Sequence, residues 1–300
     1  MTIEFNAKVQ ALFQFEVRGP DGEIRKESGW SPNLVLDQGL ELIGTGGCLN
    51  FCQVGSGVST PLKTDKNLEV FVGETSNTPI GQIKPTWGMD SDEGFCWTRK
   101  IFRFEQGQVV GNISEVGVGG TTKGGVKTLF NRALVRDAQA FFATVTVMED
   151  ETLDVTVELR VYLDPNSRAY TVNMSGVEYS LRTESIFVAF NNPYLESAVH
   201  QYIPSGYSGA IASKTATPSG ATGSFTGQGA SYSTRAYVPG SKKQIFDMYW
   251  GLNVGNSAPL RTVVVTTNLG AYQTEFSPVI PKTSDHILKL TFSITWDRYE

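Results

Sequence analysis

Two segments of this chain alternate so strictly that they leave little choice of fold. In Leu153–Tyr162 (LDVTVELRVY), Leu153, Val155, Val157, Leu159 and Val161 fall on one side, and Asp154, Thr156, Glu158 and Arg160 on the other. Ile287–Trp296 (ILKLTFSITW) repeats the pattern, setting Leu288, Leu290, Phe292, Ile294 and Trp296 against Lys289, Thr291, Ser293 and Thr295. Side chains of an extended strand point alternately to its two faces, so a period of two marks a strand buried on one face with polar residues outward. Composition fits strands and turns: only 18 % of the 300 residues are charged, and 31 are glycine.

Further strands are expected at Lys8 to Val17, closed by the turn Gly19-Pro20-Asp21-Gly22, and at Phe95 to Phe104, Val109 to Val118, Thr128 to Val135 and Phe141 to Val147. The last should form a hairpin with Leu153–Tyr162 across the acidic turn Met148 to Thr152. One short helix is expected at Asn33 to Ile43, where Leu36, Leu40 and Ile43 have helical spacing and Asn33 can cap. Gly39 in its middle costs about 1 kcal/mol relative to alanine. Asp164-Pro165-Asn166-Ser167 breaks the pattern and sets the expected domain boundary. The fold class is therefore all-β, with two β-sandwich-like domains over residues 1–164 and 165–300.

In the second half, strands are expected at Tyr170 to Val172, Val177 to Leu181, Ile186 to Phe190, Ala236 to Tyr237, Gln244 to Tyr249, Arg261 to Thr267 and Ala271 to Phe276. Between them, Pro204 to Arg235 is dominated by Ser, Gly, Ala and Thr, a composition that cannot build a thick core. It is expected as a long loop, free or ordered against a neighbouring subunit. Ile113 to Gly119 has a loose counterpart in Ile245 to Leu252, each preceding a closing strand, so a duplicated β module is one possible origin of the two halves.

Chemistry-bearing residues are sparse. His200 and His286 each lack a second histidine nearby, so neither a two-histidine metal site nor a nucleophile and base pair has support. Cys48, Cys52 and Cys96 are an odd number at spacings that suit neither zinc nor a disulfide framework, and read as buried free thiols. Met89 to Gly94 begins like a calcium loop, but Ile101 stands where the bidentate glutamate belongs. Gly55-Ser56-Gly57 lacks the lysine and helix of a phosphate loop and reads as a turn. Asp90, Asp92, Glu93, Glu149, Asp150 and Glu151 all fall in expected turns, where carboxylates are usually solvated. No catalytic, cofactor or metal residue is assigned. The formal charge of -5 with scattered lysines and arginines argues against nucleic acid. No apolar run approaches the roughly 18 residues of a membrane span. Met1 to Lys8 has no apolar core of the kind an export signal needs, and the cysteine pattern leads to the expectation of synthesis in a reducing cytoplasm.

Four segments carry a resemblance. They are Asn33-Leu34-Val35-Leu36-Asp37-Gln38-Gly39-Leu40; Cys52 to Gly57 running on to Pro61, Asp65 and Leu68; Phe130-Asn131-Arg132-Ala133-Leu134-Val135 leading into Leu153–Tyr162; and Phe276 to Lys282 ending at Trp296-Asp297-Arg298. Together they resemble virion structural proteins of tailed bacteriophages, of the tail, neck (collar) or baseplate and fibre-attachment type. The resemblance implies a non-enzymatic component of the virion, made in the host cytoplasm. Its partners would be copies of itself and other tail, neck or fibre proteins, and it brings no catalytic residues. Two alternatives stand beside it. One is a receptor-binding module for cell-surface glycan, using Tyr202, Tyr207, Phe225, Tyr232 and Tyr237 as contacts. The other is a polysaccharide depolymerase, which needs two acids about 5 to 9.5 Å apart.

Overall fold

The structure, a computed structural model, describes residues 2–81, 86–90, 93–137, 139, 141–164, 166–186, 207–209, 230–256 and 259–300. The protein is all-β, with one short helix and sheets stacked as two sandwich-like units.

The organising element is Thr2–Arg18, a strand in which Ile3, Phe5, Ala7, Val9, Ala11, Phe13, Phe15 and Val17 are all buried. At about 3.3 Å per residue it spans roughly 55 Å, long enough to serve both halves of the molecule. Thr152–Leu163 pairs antiparallel along one side of it, from Ala7 to Arg18. On the other side, Leu288–Arg298 runs parallel to its first half, and Ile24–Glu27 and Ser31–Pro32 pair with its second half. The two alternating strands therefore flank the same central strand. Phe95–Phe104 and Thr86–Asp90 extend this nine-stranded main sheet one way, and Lys243–Trp250 and Ser231–Thr234 the other.

The buried face of the main sheet is covered by two further layers. A six-stranded sheet orders Leu34–Val35, Asn131–Leu134, Glu115–Thr121, Phe51–Gly55 and Phe71–Thr75, with Lys127–Leu129 paired to Glu115–Thr121. A five-stranded sheet orders Arg168–Met174, Val177–Ser185, Gly270–Ile280, Leu260–Thr267 and Tyr207–Gly209. It meets the first half of Thr2–Arg18 through stacked Phe5 and Tyr272 rings, 4.3 Å between centroids. All its strands lie beyond Asp164, whereas the main sheet draws on both sides of that position. Asp164 itself sits at the crossover between the two sheets. One continuous apolar core joins the layers.

Several expectations change. The hairpin of Phe141 to Val147 with Leu153–Tyr162 is absent: only Val145–Val147 is a strand, and it pairs with Gly111–Ile113. Thr152–Leu163 has both edges occupied, by Thr2–Arg18 and Phe95–Phe104, so it has no edge to offer. The helix is Asp37–Thr45, capped by the Leu36 backbone with no side-chain bond. Residues Leu34–Val35 are taken by pairing with Asn131–Arg132, which delays the helix start past Asn33. Gly39 is explained by contact, since a Cβ there would lie 1.9 Å from the Phe130 carbonyl oxygen. The duplication finds no structural counterpart: Glu115–Thr121 lies in the six-stranded sheet and Lys243–Trp250 in the main sheet, with unlike neighbours.

The polar face of Thr152–Leu163 is less open than its alternation implied. Asp154 and Glu158 are 4 % and 1 % exposed. Arg103 and Arg18 cover Asp154 at 2.6 and 3.2 Å, and Arg99 and Arg160 cover Glu158 at 2.5 and 2.6 Å. Most of Pro204 to Arg235 lies outside the described residues. Its described parts include two short strands, Tyr207–Gly209 and Ser231–Thr234, at the edges of the five-stranded and main sheets. Residues 187–190 of the expected Ile186 to Phe190 strand also lie outside the description, and Ala236 to Tyr237 is loop.

Candidate functional site

The expected contact aromatics divide. Tyr202 and Phe225 lie outside the described residues. The Tyr207 backbone opens an edge strand that pairs with Leu260–Thr267. Tyr232 is 46 % exposed on the edge strand Ser231–Thr234. Tyr237 is a packing residue: its ring stacks on Trp296 at 5.8 Å and lies against the Cα of Gly44 in the helix. Its hydroxyl donates to Glu41 Oε2 (3.0 Å) and accepts from the Lys242 N–H (3.3 Å). Burial, and then the Glu41 carboxylate, push this hydroxyl up to about 12.

A different cluster organises the surface. Arg132, 2 % exposed, donates through Nη1 to Asp65 Oδ2 (2.6 Å), through Nε to Glu115 Oε2 (2.8 Å), and through Nη2 to the carbonyl and hydroxyl of Ser59. Glu115 is fully buried and also accepts the backbone N–H groups of Gly57 (3.0 Å), Glu69 (3.1 Å) and Val70 (2.7 Å). Burial of a charge is tolerable only when it is paired and hydrogen-bonded, and Glu115 meets both conditions. Gly57 is demanded by this geometry, because a Cβ there would fall 2.4 Å from Glu115 Oε1. The Gly55-Ser56-Gly57 turn thus wraps a carboxylate that belongs to the protein itself.

Electrostatics hold the loop's outer side as well. Burial opposes ionisation of Asp65, but the Leu62 N–H and the Arg132 guanidinium outweigh it and keep its pKa below the ordinary value of 3.8. Glu69 is also lowered, chiefly by the Ser59 N–H and hydroxyl, with the Val58 N–H and Arg132 adding to the effect. The loop from Ser56 to Val70 is in this way fixed from within; Leu68 packs inward with Leu36, Phe51 and Leu129, while other apolar side chains face out. Val58, Leu62, Val70 and Phe71 are 63, 60, 47 and 57 % exposed. They adjoin Phe71–Thr75, the edge strand of the six-stranded sheet.

Segments that are remote in sequence meet here. The Leu36 N–H donates to Phe130 O (2.9 Å) and the Asp37 N–H to Lys63 O (2.8 Å). Trp296 Nε1 donates to Leu40 O (2.7 Å), and the Arg298 guanidinium binds Val35 O and Asp37. Asn33 to Leu40, Cys52 to Leu68, Phe130 to Val135 and Trp296 to Arg298 are therefore one packed unit, whereas Phe276 to Ile280 stands in the five-stranded sheet. Glu115 and Arg132 received no role from sequence reasoning. Their signal was a single charge in each of two short strands, Glu115–Thr121 and Asn131–Leu134, that are buried along nearly their whole length.

The remaining chemistry-bearing groups are structural in their surroundings. Cys48, Cys52 and Cys96 are buried thiols outside any disulfide; burial pushes all three up, Cys96 to about 12, and the Glu74 carboxylate adds to the rise at Cys52. His286 sits in a turn, its ring nitrogens 3.2 Å from Thr283 Oγ1 and Pro281 O, and His200 is outside the described residues. Asp90 closes a turn by accepting the Glu93 N–H at 3.0 Å. Among the described residues, no group of three or more His, Cys, Asp or Glu side chains is placed to hold a metal ion, and no helix is long and apolar enough to cross a membrane. Comparison of the chain with models of known families, with curated proteins and with solved structures found no match.

Proposed function

We propose that this chain is a non-enzymatic structural component of a tailed-bacteriophage virion. In this reading it assembles in multiple copies in the tail, neck or baseplate and anchors neighbouring tail or fibre proteins. The observation that carries the reading is the loop from Ser56 to Val70. A buried Arg132–Glu115 pair fastens it while Val58, Leu62, Val70 and Phe71 face solvent at or beside Phe71–Thr75, an edge strand among the described residues. A preordered apolar surface loses little conformational entropy on docking, and an open edge offers unpaired backbone groups to a neighbour. The resemblance adds weight, because most of the segments that carry it build this same unit. Mass spectrometry of purified virions tests the proposal. The chain should be present at a fixed copy ratio to the other tail proteins, and its absence from intact particles would end the reading.

A further inference from the structure

Where the chain leaves the main sheet for the five-stranded sheet, the surface holds a cleft of about 480 Å³. That volume lies within the roughly 300–1,000 Å³ range of small-ligand sites. Tyr162 and Tyr299 line it as a stacked pair, with ring centroids 3.6 Å apart and planes within 13° of parallel. Tyr162 is fixed by its hydroxyl, which donates to Gln10 Oε1 (3.0 Å), and by contact with the Phe95 ring at 5.1 Å. Tyr299 is anchored through its backbone N–H to Val9 O (2.9 Å), and 41 % of its surface remains in solvent. The pair is a preordered aromatic platform.

Polar groups of both signs surround it: Lys8, Glu93, Asp164 and Arg168. Asp164 and Arg168 already bind each other at 2.8 Å, and Asp164 also accepts the Asn166 N–H at 3.0 Å. A phosphate would meet carboxylates here without a matching surplus of cations, and an apolar ligand would strand the charges. A sugar suits both parts of the lining. Its hydroxyls donate to carboxylates and accept from lysine and arginine, and its C–H face rests on the electron-rich face of an aromatic ring. We propose that this cleft binds a short saccharide, with Tyr299 as the stacking platform and Glu93, Asp164 and Arg168 as hydroxyl-binding groups.

Saturation-transfer difference NMR on the full chain tests this. Gluco-, galacto-, manno- and N-acetylglucosamine trisaccharides form one arm, and a bacterial surface polysaccharide the other, so a free sugar and a surface glycan are told apart as sources. At least one probe should show transfer to its ring C–H protons. Tyr299→Ala should weaken that binding about tenfold or more, while Tyr299→Phe retains it. Glu93→Gln, at an exposed turn position, gives a second readout on a folded chain and should weaken binding several-fold. Silence from every probe at millimolar concentration, or binding indifferent to Tyr299→Ala, would overturn the proposal. Presence of the chain in virions is measured separately, so the two proposals fail independently.

Discussion

Replacing Arg132 with methionine keeps much of the side-chain volume and removes the charge that neutralises Glu115. Glu115 cannot reach water, since it is 0 % exposed, but it keeps the N–H groups of Gly57, Glu69 and Val70. Removing one partner of a buried pair costs about 3–5 kcal/mol, and the three retained N–H bonds place this case at the lower end, about 3 kcal/mol. At about 2.1 cal/mol/K of unfolding entropy per residue, 300 residues give about 1.6 °C per kcal/mol, so the unfolding midpoint should fall by about 5 °C. Urea titration gives the free energy, and hydrogen exchange at Gly57, Glu69 and Val70 localises it. The double variant Glu115→Gln with Arg132→Met should lose less than the sum of the two singles, by about 2 kcal/mol, because neither leaves the other's charge buried. Additive losses, or a single-variant loss below about 1 kcal/mol, would refute the reasoning that this pair holds the loop.

Acid should release the same loop. The folded Asp65 pKa lies below 3.8, so the stability it contributes is present above that value and is lost as pH falls through the folded pKa. Proteolysis within residues 56–70 should therefore rise below about pH 4 and stay flat between pH 6 and 8, with Asp65→Asn shrinking the acid step and leaving the share that Glu69 contributes. Gly39→Ala should destabilise by about 1–3 kcal/mol despite alanine's better helix propensity, because its Cβ meets the Phe130 backbone; a rise in the unfolding midpoint would contradict that. Tyr237→Phe should lose about 1 kcal/mol in urea titration, since the ring stays on Trp296 while the bonds to Glu41 and Lys242 are lost. Ellman's reagent at pH 8 should find no fast-reacting thiol in the folded chain and three in denaturant, since burial keeps all three protonated.

What the sequence conveyed was local. Phe95–Phe104 occurs with its expected bounds, and Leu153–Tyr162 gains one residue at each end, because a period of two is written in neighbouring residues. Pairing partners are not written there. The first and last strands of the chain run parallel through Thr2–Arg18 and Leu288–Arg298, and that contact depends on the whole topology. The same gap explains the missing hairpin: Phe141 to Val147 has apolar residues at strand spacing, but the strand it was expected to pair with is already paired on both sides. At the site, Gly55-Ser56-Gly57 was legible as a turn, but Arg132 reaches Asp65 across 67 positions. Only the lone charges Glu115 and Arg132 hinted at it. The polar side of Thr152–Leu163 was legible in kind but not in depth, since three of the four arginines that roof Asp154 and Glu158, namely Arg18, Arg99 and Arg103, come from other strands.

The claim that this is an assembling structural protein rests most directly on the solution mass of the intact chain. Light scattering coupled to size-exclusion chromatography at micromolar concentration should return a mass of two or more times 32.8 kDa. Charging the loop with Leu62→Asp and Phe71→Asp should return it to the single-chain mass. A wild-type mass of 32.8 kDa, unchanged with concentration, would contradict the account.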